Sequence, residues 1–203
     1  MKLAAQKKVV AAVAAGLVVL LSACTPINSA ATIGEKSISV GQVQKTVDEI
    51  LSERAKVSTQ GMTLETGEAL NRSQLTFFVI SELLFQLGKR AHISVTDAEI
   101  NAEVKSITAQ VGGAANLAPA MVSAGVAPAN LHEYFRSYLL SSKLSNALIA
   151  NGIPKESVTA AVQKLVADEA AKLKISINPR YGSWSSDQAT IINAPLAAGS
   201  VQK

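Results

Sequence analysis

Apolar residues recur at helical spacing through most of this chain, and the exceptions lie near its two ends. Ala31-Thr-Ile-Gly-Glu-Lys-Ser-Ile38 reads as two short extended pieces around a Gly-Glu-Lys turn. Ser39 then has the chemistry of a helix N-cap, with Gln42 three residues on as a capping box requires. Val40, Val43, Val47, Ile50 and Leu51 give that helix one apolar face, continuing to about Val57. Residues 58–67 are polar with two glycines and read as a loop. The next helix, about Glu68–Ala91, is apolar around most of its circumference, including Leu75, Phe77, Phe78, Ile80, Leu83, Leu84, Phe85 and Leu87. That pattern predicts the central helix of a bundle.

A third helix has a well-marked start. Thr96 is its N-cap, Glu99 completes a capping box, and Val95 with Ile100 supply a hydrophobic staple. Ile100, Val104, Ile107 and Val111 form its stripe, and Gly112-Gly113 stops it. The Ala-rich stretch 114–127 suggests a short helix over 118–124, stopped by Gly125. Pro128 suits a first helical turn, and the helix that follows carries Leu131, Tyr134, Phe135, Tyr138, Leu139 and Leu148 until Asn151-Gly152. A last helix spans about 154–173. Lys174-Ile-Ser-Ile-Asn178 alternates like a strand. Because an isolated strand leaves its backbone groups unpaired, Ile175–Ile177 is expected to pair with the segment 32–38 and join the two ends of the domain. Residues 185–203, rich in small polar residues, are expected to be an irregular tail.

The first 23 residues follow a different rule. Lys2, Lys7 and Lys8 precede an apolar run from Val9 to Leu21, too short for a typical membrane span, and then Leu21-Ser22-Ala23-Cys24. This run resembles the lipobox, at which a bacterial signal peptidase cuts before a diacylglyceryl-modified cysteine. The expected organisation is a signal peptide over 1–23, a lipidated tether over 24–30, a helical domain over 31–184 and the tail. An ordinary secretion signal with an incidental cysteine, or an uncleaved anchor, would share the same charge and hydropathy. Cys24 is the single cysteine of the chain, so no intramolecular disulfide can form, and lipidation accounts for a lone thiol outside the cytoplasm. Two or more acyl chains suffice for stable anchoring.

The signal also changes the meaning of the charge. The whole chain carries 19 basic and 15 acidic residues, but three of the lysines lie in the signal. Without them the balance is close to neutral, which removes the compositional support for a nucleic-acid partner. Aromatics make up only 4% of the chain, so the core must rest on Ala, Val, Leu and Ile. There is no G-x-S-x-G, P-loop or G-x-G-x-x-G pattern. His92 and His132 are the only histidines, and with the lone Cys24 assigned to lipid no metal or cofactor site is expected beyond that covalent lipid. Acidic pairs such as Glu99/Glu103 read as a solvated helix face.

Three stretches resemble the N-terminal chaperone domain of SurA and the PrsA-type foldases, which are related in fold to the substrate-binding part of trigger factor. The first is Ala31-Thr-Ile-Gly-Glu-Lys-Ser-Ile-Ser-Val-Gly-Gln-Val43. The second is Glu82-Leu-Leu-Phe-Gln-Leu-Gly-Lys-Arg-Ala-His-Ile-Ser-Val-Thr-Asp-Ala-Glu-Ile100. The third is Ala127-Pro-Ala-Asn-Leu-His-Glu-Tyr-Phe-Arg-Ser-Tyr-Leu139. Ile177-Asn-Pro-Arg-Tyr-Gly-Ser-Trp184 is in addition similar to an ending found in small lipoproteins of the group. Two departures stand out. His92 replaces the usual Gly of a turn that calls for positive φ, a conformation His tolerates only modestly. Only Asn151-Gly-Ile-Pro154 joins the last two long helices, where many relatives insert a parvulin prolyl isomerase domain of about a hundred residues.

The resemblance implies a mainly α, multihelical SurA/trigger-factor-like chaperone domain with a small β element joining its N- and C-terminal strands. It implies a non-enzymatic, lipid-anchored protein on the extracytoplasmic side of a bacterial membrane, with unfolded or extended secreted polypeptides as partners. Such proteins bind apolar segments weakly in a groove between helices. Phe77, Phe78, Tyr134, Phe135 and Tyr138 are the candidates for that groove, with the adaptable side chains of Met62 and Met121. The same aromatics equally suit an ordinary core. A structural or partner-binding lipoprotein that keeps the fold without client binding is the alternative, and a prolyl isomerase is disfavoured by the short 151–154 connection.

Overall fold

The computed structural model of the chain describes residues 28–193. The signal, Cys24 and most of the tether lie outside the described residues, as does the end of the tail. The architecture is mainly α with a small sheet at the closure of the chain. Strand β1 (Ser29–Ile33) turns through Gly34 and Glu35 into β2 (Lys36–Ser39), an antiparallel hairpin with Ile33 opposite Lys36. Helices α1 (Val40–Arg54), α2 (Gly67–Arg90), α3 (Asp97–Gln110), α4 (Ala114–Ser123), α5 (Leu131–Ala150) and α6 (Val158–Leu173) follow. Strand β3 (Ser176–Ile177) then returns antiparallel to β1, with Ala31 opposite Ile177, giving the sheet order β2-β1-β3. The two ends of the domain meet as the alternation at 174–178 predicts.

Helix α2 is central. Leu75, Val79 and Leu83 on it are fully buried, and it packs against α1, α5, α6 and β1. The core gathers these with Ala30, Ile33 and Ile38 of the hairpin, Leu140 and Leu144 of α5, and Val166 and Ala170 of α6. Burying each such aliphatic side chain stabilises the fold by about 1.5–3 kcal/mol. Helix α6 is also tied to α2 by an ion pair. Arg90 Nη2 donates to Oε1 of the fully buried Glu169 at 2.5 Å, while Glu169 Oε2 finds no partner among the described residues.

Several local expectations are modified. Ser39 Oγ accepts from the Gln42 amide at 3.0 Å, so Ser39 caps α1 as its sequence implies. Along α1, however, Leu51 is exposed and Thr46 takes an inward position instead. The Thr46 hydroxyl is satisfied there, because Asn130 Nδ2 donates to it at 3.1 Å. Helix α4 begins at Ala114, ahead of the stretch 118–124, on the turn made by Gly112 and Gly113.

The largest correction concerns the tail. Residues 185–203 are not irregular throughout: β4 (Ser183–Ser185) and β5 (Thr190–Ile192) form a second antiparallel hairpin packed on α2, and Ile191 is buried. The Ile177–Trp184 segment builds this closure. Asn178 donates from its backbone N to Ala30 O at 2.9 Å and from Nδ2 to Ser29 O at 3.0 Å. Arg72 Nε donates to Tyr181 O at 3.1 Å. Gly182 has φ +120°, and a Cβ built on it would fall 1.9 Å from Ile192 O, so β5 can approach only because residue 182 has no side chain.

Candidate functional site

The face of α2 turned toward α5 repeats along the helix as Phe78, Ser81, Phe85 and Gly88, at spacings of three, four and three residues. These residues face the same way because such steps return to one side of a helix. On the opposite wall α5 presents Glu133, Arg136 and Leu140. The β2 strand and the first turn of α1 close one end of the space with Lys36, Ile38 and Gln42, and the link 92–95 closes the other. The result is a cleft of two adjoining hollows of about 410 and 480 Å³ that share Phe85 and Arg136.

The cleft mixes a buried apolar floor with an unusually exposed aromatic. Phe78 and Leu140 are in the core, whereas Phe85 is 42% exposed although it belongs to the central helix of the bundle. Lys89 Nζ lies 5.5 Å from the centre of its ring, a cation–π position. Gly88 permits the tight end of the cleft, since a Cβ there would come within 2.9 Å of both Ile93 O and Leu140 Cδ2. The Ser81 and Ser137 hydroxyls satisfy one another at 2.8 Å across the α2–α5 contact. Arg136 donates to Glu133 Oε2 at 3.0 Å.

Helix α3, which follows the 92–95 link, is tied to α5 by charged groups. Thr96 and Glu99 form the reciprocal capping box, and Lys143 of α5 bridges to Glu99 at 2.6 Å. The hydrogen bonds from Lys143 and from Thr96 hold the Glu99 carboxyl down at about 2, well below the usual carboxylate value. His132 Nε2 lies 3.2 Å from Asp97 Oδ1. Ile100 is the one fully buried residue of α3, and Val104, Ile107 and Val111 are only partly covered.

The seven residues singled out from the sequence do not share one groove. Phe78 lies in the floor of the cleft. Phe77 and Tyr134 meet instead in a separate pocket of about 190 Å³ between α2 and the turn 124–127. Phe135 is sealed in the interior, edge-on to Tyr134 with ring centres 5.4 Å apart. Tyr138 is 52% exposed on the outer side of α5 and lines neither space. Met62 lies in the α1–α2 loop and Met121 in α4, both partly buried and outside the cleft. Phe85 is the residue that sequence reasoning assigned to the core. Its signal was the seven-residue spacing from Phe78, which places both rings on one face of α2.

Among the described residues no group of three or more His, Cys, Asp or Glu side chains is placed to hold a metal ion, and no helix is long and apolar enough to cross a membrane. The family profile of the SurA-like N-terminal domain matches residues 4–145. The matched stretch contains every residue lining the cleft and ends within α5. No curated protein and no solved structure matches the chain. The match covers more than half of the sequence and agrees with the helical architecture, and the chain therefore belongs to the SurA-like N-terminal domain family.

Proposed function

We propose that this protein is a lipid-anchored, non-enzymatic chaperone that holds extended apolar segments of unfolded secreted polypeptides in the cleft between α2 and α5. The observation that carries the reading is Phe85, a large aromatic held 42% exposed over a buried apolar floor between two helices. An exposed ring in a concave, mostly apolar space is suited to transient contact with side chains of varied shape. Polar groups at the rim, Gln42 and Glu82 among them, can bond the backbone of an extended client. Family membership supports a chaperone-related role.

The anchor rests on the run Leu21-Ser-Ala-Cys24 behind a charged and apolar leader, and it places the domain on the extracytoplasmic face of the membrane. Binding without catalysis is supported by the connection between α5 and α6, which spans only residues 151–157. A domain of parvulin size needs about a hundred residues.

The test is suppression of aggregation of a chemically unfolded client by the full chain, comparing the natural sequence with Phe85→Ser. The expected result is concentration-dependent suppression that falls several-fold in the variant at unchanged melting temperature. Absence of suppression by the natural chain would contradict the reading and favour a structural lipoprotein. In cells, Cys24→Ser is expected to abolish incorporation of a fatty-acid analogue, and label persisting in the variant would refute the anchor.

A further inference from the structure

His92 occupies a place where its side chain costs stability. It follows α2 with φ +55°, in the left-handed region that Gly adopts freely and other L-residues only at a cost. Its amide donates to Lys89 O at 3.3 Å, and the next amide, of Ile93, donates to Gly88 O at 2.8 Å, so the backbone turn itself is well bonded. The side chain contributes nothing visible to that turn. It is exposed, and the imidazole contacts found among the described residues are those of the other histidine, His132. A strained, exposed residue without a structural partner points to a use for the side chain itself.

Its neighbours indicate the use. His92 lines the larger hollow of the cleft together with Phe85, Lys89, Arg136 and Leu140. The hollow has an apolar floor, and its ionic side chains are the cations Lys89 and Arg136, with no carboxylate among the lining residues. Arg136 is shared with Glu133 of the adjoining hollow, whereas Lys89 lies over the Phe85 ring without an acidic partner among the described residues. The imidazole of His92 adds an N–H donor to this rim.

We infer that the hollow between Phe85 and the 92–95 link selects client segments in which an apolar side chain is flanked by a carboxylate, and that His92 is a specificity residue of that subsite. The inference rests on the proposal that the cleft binds extended polypeptides. An apolar side chain seats on Phe85, Ile93 and Leu140, and the adjacent carboxylate accepts from His92 and Lys89.

The experiment uses three fluorescent peptides that differ at one position beside a Leu-Phe pair: Glu, its isostere Gln, and Lys. Each is titrated into the full chain as purified from cells, and into His92→Gly, with anisotropy as readout. The natural chain is expected to bind the Glu peptide about three- to fivefold more tightly than the Gln peptide, a preference weakened by salt, and the Lys peptide least well. His92→Gly is expected to raise the melting temperature by about 2 °C, because Gly suits the position after a helix C-terminus. The same variant should bring the Glu/Gln ratio close to one. Opposite signs for stability and discrimination are what a purely structural residue would not produce. Equal affinity for all three peptides would overturn the subsite while leaving the cleft reading intact. A Glu/Gln ratio unchanged in His92→Gly would remove His92 from it. Binding of none of the peptides would count against the cleft itself.

Discussion

The two sides of α2 are built to opposite ends. Toward the sheet and the C-terminal hairpin the helix is sealed: Leu75, Val79 and Leu83 are fully buried, and Asn178, Arg72 and Gly182 close the chain over them. Toward α5 the same helix leaves Phe85 in the open, and α3, beyond the 92–95 link, has Ile100 as its one fully buried residue. Both sides are apolar in sequence. The difference lies in what covers them, and an apolar residue adds to stability only as far as it is covered. The open side leaves the Phe85 ring partly exposed.

On this contrast the largest effects come from uncovering the sealed side. Removing residues 174–203 deletes β3, the Asn178 contacts and the β4–β5 hairpin together, and the remaining chain is expected to lose its cooperative thermal transition. Removing only 186–203 takes away β5 and the buried Ile191, and should lower the melting temperature by several degrees while leaving a cooperative transition. Calorimetry on the two truncations decides the matter. A shorter truncation that melts like the full chain would show that the second hairpin does not contribute.

Point substitutions sharpen the comparison. Leu83→Ala leaves a cavity in the sealed side and should cost about 3 kcal/mol in urea unfolding. Val104→Ala, on the partly covered stripe of α3, should cost about 1 kcal/mol or less. Similar costs at the two positions would erase the distinction between the two regions.

The smallest effect is electrostatic. Glu99 is held near 2 by Lys143 and Thr96, lower in the folded chain than its ordinary value of 4.5, so its contribution is complete above about pH 4.5 and disappears as the pH falls toward 2. Glu99→Gln should therefore flatten the loss of stability over that window, with its cost greatest near pH 7 and vanishing toward pH 2. An identical acid profile in the variant would deny Glu99 its part in holding α3.

Much of this was legible in the chain because the signals are local. The capping box at Thr96 and Glu99 needs only residues within one turn, whereas the glycine-like backbone of His92 followed from the resemblance, in which a Gly usually holds that place. The pairing of β3 with β1 followed from the requirement that strand backbones be satisfied. What escaped depends on long-range placement. The β4–β5 hairpin is made of three-residue strands, too short for an alternating pattern to register, and its packing relies on Gly182 meeting Ile192 across a turn. The exposure of Phe85 depends on where α5 lies, and a helix apolar around its circumference does not reveal which side its neighbours leave uncovered. For the same reason Phe77 and Phe78 on α2, and Tyr134, Phe135 and Tyr138 on α5, close in sequence within each helix, are divided among a pocket, the cleft floor, the interior and the outer surface.

The central claim is that the open side of α2 is where polypeptides bind, and site-specific photocrosslinking tests it most directly. A photoreactive residue at position 85 is compared with one at position 51, which is similarly exposed, at 47% against 42%, but lies on α1 away from the cleft. With an unfolded client, the account predicts strong crosslinking from position 85 and only background from position 51. Equal yields at the two positions, or a higher yield at 51, would contradict it.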